Sequence, residues 1–192
     1  MADTLTAKQS LKKLIEGNKR CVVCKPQNPR QDAKRRKEVV KGQKPFAVIV
    51  GCSDSRIPPE LIFDQGYGDL FVVRLAGNIV DRLALGSIEY AVEHLGTKLV
   101  VVLGHGKCGA VTAATQGSNA PGNVGSILKA IQPAVKKARK LQGDLVENAT
   151  RVNVELVTNK IKSSQPILAE MVENGTIEVM GAYYNIETGA VE

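Results

Sequence analysis

KLVVVLGHGKCGAVTAAT, Lys98 to Thr115, runs from an apolar segment through a glycine-rich turn into small residues. The apolar run reads as a buried parallel strand, and the small residues as the start of a helix. At the junction Gly104, Gly106 and Gly109 spell G-x-G-x-x-G, the spacing of a dinucleotide-binding turn. The same turn holds His105 and Cys108, an H-x-x-C pair able to grip a metal ion.

These two readings need different surroundings. A dinucleotide turn needs an acidic residue about 20 positions on, at the end of the next strand, to hold the ribose. No Asp or Glu occurs from Ala110 to Ala130. The fingerprint also belongs to a first strand, and here the first apolar run is FAVIV, Phe46 to Val50, whose turn reads GCSDSR. The metal reading is favoured.

Working outward, DLFVVRLAG from Asp69 and TIEVMGAYYN from Thr176 are two further strands. RLALGSIEYAVEHLG, 82–96, has the apolar spacing of a helix packed on a sheet. Helices are also expected over 4–20, 31–41, 123–142 and 145–161. Such alternation predicts an α/β fold, a mainly parallel β-sheet flanked by helices. At 192 residues the chain is expected to be one domain, with an N-terminal helical arm over 1–42 and an α/β core over 43–192.

In parallel sheets ligands bind outside the carboxyl ends of the strands. Cys52 ends the first strand as His105 ends the third, so both lie on one edge. Cys52, His105 and Cys108 then assemble a Cys₂His set, and three protein ligands with an open position is the pattern of catalytic zinc. A structural zinc would need a fourth ligand; Asp54 is the only candidate, and structural sites prefer sulfur and nitrogen. Asp54 and Arg56 follow Cys52 at alternate positions and share one side of an extended segment. A carboxylate there can accept a hydrogen bond from a water on the metal, and an arginine fork can fix that carboxylate. The glycines are expected to bend the backbone so that Cys108 approaches His105.

The formal charge is +7, with basic clusters at Lys34–Lys37 and Lys136–Lys140. Neither interleaves with aromatic residues, so both read as solvated helix faces, with no nucleic-acid partner. No apolar run approaches the roughly 18 residues that cross a membrane, and no signal peptide is recognised. A cytoplasmic location is expected. The four cysteines then read as reduced thiols rather than a disulfide framework.

CSDSR at 52–56 and GHGKCG at 104–109 resemble the β-class carbonic anhydrases. The resemblance extends through PPELIFDQGYGDLFVVRLAGN at 58–78 and SIEYAVEHLG at 87–96. It implies an enzyme with one Zn²⁺ per chain, which hydrates carbon dioxide reversibly to bicarbonate through zinc-bound hydroxide. It implies Cys52, His105 and Cys108 as zinc ligands and Asp54 with Arg56 as the orienting dyad. It implies Gln43 as a substrate contact reaching across a dimer interface, and Phe71, Ala76 and Tyr90 as the apolar substrate pocket. It further implies a homodimer or dimer of dimers, with the N-terminal arm on the neighbour. Carbon disulfide or carbonyl sulfide would suit the same ligands, and a non-catalytic zinc or bicarbonate sensor is the third alternative.

The remaining polar residues have structural readings. Cys21 and Cys24 read as small buried hydrophobes, and His94 as a helix C-terminal group. Arg74, Gly77 and Asn78 read as the pocket floor, Asp64 and Asp69 as turn and surface groups.

Overall fold

The computed structural model describes residues 5–117 and 120–192. Helix α1 (Ala7–Val22) is followed by α2 (Ala33–Glu38), strand β1 (Ala47–Gly51), α3 (Pro59–Ile62), β2 (Leu70–Arg74) and α4 (Arg82–Glu89). Then come β3 (Leu99–His105), α5 (Gly109–Thr115), α6 (Val124–Ala138), α7 (Leu145–Lys162), α8 (Ile167–Glu173) and β4 (Glu178–Tyr184). The four strands form one parallel sheet in the order β2-β1-β3-β4.

Side chains alternate across this sheet. Ile49, Val101 and Leu103 face a core layer completed by Leu14, Phe63, Val111, Ile131 and Val135. Val48, Val50, Val100 and Val102 face the other layer, with Ile88, Val92, Val154, Ile161 and Leu168. Because both faces are covered, β1 and β3 are continuous apolar runs rather than alternating ones. The register sets Gly51 beside Leu103 and Arg74, so the loops after β1 and β3 leave the same edge side by side.

The helix expected over 4–20 is α1; Thr4 lies outside the described residues. Thr6 caps α1 and exchanges hydrogen bonds with Gln9, a capping box. The arm is clasped by its own core. Asn18 donates to the carbonyls of Ile62 and Gly189 and accepts from the amide of Val191. The helix expected over 82–96 is α4 continued by a wider turn over Tyr90–His94. The sequence reading had no helix at α3 or α8; these have four and seven residues, too short for a periodic pattern.

Two expectations are corrected. Asp64 and Asp69 are buried, 2% and 5% exposed, not surface groups. Asp64 takes an ion pair from Arg20 and hydrogen bonds from the amides of Gln27 and Asn28. Asp69 is paired with Arg30. Their partners lie in the arm, so these carboxylates anchor it. Likewise Cys24 is exposed and Cys21 half-buried, because α1 ends at Val22 and leaves Cys24 in the turn beyond.

Burial opposes ionisation of Asp64, but its amide partners and Arg20 outweigh it and hold the carboxyl below its ordinary range. A carboxyl lowered by folding stabilises above its unfolded pKa, and that contribution is lost as pH falls through the folded value. Asp64→Asn is expected to cost about 2 kcal/mol at pH 7, and the gap in Tm to the parent should narrow below about pH 4. Thermal unfolding across pH measures it; a gap constant down to pH 2 would refute the assignment.

Candidate metal centre

The sulfurs of Cys52 and Cys108 and a ring nitrogen of His105 lie within 4.8 Å of one another, and all three residues are buried. Cys52 follows β1, His105 ends β3, and Cys108 caps α5. The sulfurs are 3.9 Å apart and form no disulfide. Two Zn–S bonds of about 2.3 Å in a tetrahedron would space them about 3.8 Å apart. His105 Nδ1 is 3.0 Å from the carbonyl of Gly106, which makes it the N–H donor and leaves Nε2 a free lone pair. Nε2 is buried with no partner among the described residues. A buried nitrogen lone pair beside two thiols is a donor set suited to a soft divalent ion. The residues present fit zinc.

The sulfurs influence one another. A hydrogen bond from Cys108, joined by one from the Gly77 amide, draws the Cys52 thiol down against the opposing effect of burial. The same neighbour, together with burial, pushes the Cys108 thiol up. The amides of Ala110 and Val111 face the Cys108 sulfur, so the start of α5 serves a thiol rather than a phosphate.

The glycines act differently from the expectation. The left-handed residue of the turn is Lys107, φ 56°, not a glycine. Gly104 and Gly106 are required by space. A Cβ at Gly104 would stand 2.4 Å from Val154 Cγ2, and one at Gly106 would stand 2.8 Å from the Tyr183 hydroxyl.

Asp54 spends both carboxylate oxygens on Arg56, whose Nε and Nη2 donate at 2.9 and 2.8 Å. These bonds hold the Asp54 carboxyl well below the usual carboxylate range, against its partial burial. Arg56 also donates to the carbonyl of Lys107, tying the two loops together. Arg74 donates to the carbonyls of Cys52 and Asp54, so it braces the first loop. The Gly77 amide donates to Cys52 Sγ at 3.1 Å, and Asn153 on α7 donates to the Gly77 carbonyl. Asn153 escaped the sequence reading because it lies inside an amphipathic helix with no motif around it.

Ala76 directly precedes Gly77, whose amide donates to Cys52 Sγ. Phe71 and Tyr90 form an aromatic pair, ring centroids 6.4 Å apart. Phe71 is level with Val48, three residues and roughly 10 Å along the strands from the metal edge. Gln43 is exposed and precedes β1, with that whole strand between it and Cys52. The structure therefore does not gather Gln43, Phe71 and Tyr90 around the metal ligands of their own chain. His94 is exposed beside Glu93 and Tyr90, as its structural reading expects.

Comparison with known proteins adds the rest. The family profile described as carbonic anhydrase matches residues 47–191. Carbonic anhydrase 2 of Mycobacterium tuberculosis is 40% identical over 182 residues, covering 93% of this chain and 88% of its own. The carbonic anhydrase of Mycolicibacterium smegmatis is 38% identical over 185 residues, covering 94% and 90%. Among solved structures, a tetrameric β-carbonic anhydrase of Sordaria macrospora superposes with a TM-score of 0.75 at 28% identity, covering 82% of this chain and 84% of that one. The Coccomyxa β-carbonic anhydrase bound to acetazolamide gives 0.73 at 27% identity, covering 100% and 86%. Fold, ligand convergence and sequence kinship agree, and this chain belongs to the β class of the carbonic anhydrase family.

Proposed function

We propose that this chain catalyses the zinc-dependent, reversible hydration of carbon dioxide to bicarbonate and a proton. The observation that carries the reading is the meeting of Cys52, His105 and Cys108 around a buried His105 Nε2 that has no partner among the described residues. When bound there, zinc supplies the Lewis acidity that brings the ionisation of water toward neutral pH. Two thiolates make the site negative, so activity should rise on the alkaline side of neutrality.

The chain's own groups do the orienting. Asp54, kept ionised by Arg56, accepts a hydrogen bond from the attacking water and aims its lone pair at the carbon. Arg56→Ala frees the carboxylate to rotate. It is expected to lower kcat about 10- to 100-fold with zinc content unchanged, as metal analysis and kinetics on one sample would show.

Gln43, Phe71 and Tyr90 serve the substrate from a second copy of the chain. Supporting this, β2 is the sheet edge and half-buried throughout, while Leu83 and Tyr90 beside it are 81% and 49% exposed. A homodimer covering that edge, or a pair of such dimers, brings these residues toward a neighbour's metal. The outward side of the arm, where Ile15 is exposed, suits the same contact. Four free thiols favour a reducing compartment, the cytoplasm, and no helix among the described residues is long and apolar enough to cross a membrane.

Stopped-flow hydration of carbon dioxide across pH, with metal analysis of the same sample, tests the proposal. About one zinc per chain with rapid hydration is expected. Full zinc occupancy with no turnover at any pH would overturn it.

A further inference from the structure

Helix α7 is pressed onto the sheet by a fitted contact. Val154 enters the space left by two glycines; a Cβ at Gly104 or Gly181 would meet its methyls at 2.4 and 2.6 Å. This seating fixes the preceding residue, Asn153, which is 2% exposed. Its Nδ2 donates to the Gly77 carbonyl at 2.8 Å. Gly77 in turn donates its amide to Cys52 Sγ at 3.1 Å. Gly77 has φ 69°, so its direction is not one the backbone adopts by default.

We propose that Asn153 is a positioning residue of the metal centre: by gripping the Gly77 carbonyl it keeps the Gly77 amide on the Cys52 sulfur. This rests on Cys52 being a zinc ligand. A hydrogen bond to a thiolate withdraws charge from the sulfur and fixes the direction of its lone pairs, and groups behind the ligands change metal affinity 10- to 100-fold. Asparagine suits the task because it is short, neutral and a donor. Leucine has nearly its shape and cannot donate.

The test compares Asn153→Leu and Asn153→Ala with Val157→Ala, which thins the packing of the same helix one turn further on. Each is loaded with cobalt(II) for spectroscopy, and separately titrated with zinc against a competing chelator. The Asn153 variants should bind zinc about tenfold more weakly. Their thiolate-to-cobalt charge-transfer band should move to longer wavelength, because the sulfur becomes a stronger donor. Val157→Ala should lower Tm and leave band and affinity unchanged. If the Asn153 variants lose only Tm, as Val157→Ala does, Asn153 is a packing residue and the proposal is wrong. Should Asn153→Leu fail to fold, Asn153→Ala carries the comparison. Failure of the parent chain to take up one metal ion per chain would instead overturn the zinc reading itself.

Discussion

Cys52→Ser is expected to strip the chain of tightly held zinc and to lower carbon dioxide hydration by at least about a thousandfold. A serine hydroxyl matches the thiol in shape, so the buried position is preserved. It does not ionise near neutral pH and offers a hard oxygen where the site uses soft sulfur. Lewis acidity at such a site is worth several kcal/mol of barrier, and each 1.4 kcal/mol is about tenfold in rate. Zinc content and stopped-flow rates on the same preparation decide the matter. A serine variant that keeps both would remove Cys52 from the ligand set.

Gly77→Ala is expected to lower the free energy of unfolding by about 2–4 kcal/mol and to weaken zinc binding with it. Alanine at φ 69° meets a left-handed penalty of about 1–2 kcal/mol. Its Cβ would lie 2.6 Å from Ile131 Cδ1 and 3.3 Å from Ala110 Cβ. Ile131 is fully buried, so relieving that overlap costs about another 1–2 kcal/mol. The shift also lifts an amide off the Cys52 sulfur. Denaturant unfolding and chelator competition measure the two effects separately. A change within about 0.5 kcal/mol would mean that the loop relaxes freely and that Gly77 is not held as described.

The metal ligands were legible because strand ends are legible. FAVIV and KLVVVL each stop at a residue that bears chemistry, and a parallel sheet lines up such ends whatever lies between them in sequence. The pairing of Asp54 with Arg56 was legible for the same reason, since both follow Cys52 closely. Asp64 and Asp69 were not, since what buries them is Arg20 and Arg30, about 40 residues earlier, and no local pattern announces a long-range ion pair. The cysteines of the CVVC stretch were misplaced because α1 stops at Val22, which puts Cys21 in its last turn and Cys24 beyond it. Lys107 was overlooked as the turn's left-handed residue because three glycines stood around it. Distance hid Asn153 as well: 76 residues separate it from the carbonyl it holds.

Val154, seated against Gly104 and Gly181, bears on how such sequences are sorted. A glycine held in place by a neighbouring valine leaves the same letter as one held by a pyrophosphate. Signature searches built on glycine spacing alone will therefore file chains like this one with nucleotide binders. What separates the two groups is found elsewhere: an acid after the next strand in one, a cysteine at the end of the adjoining strand in the other.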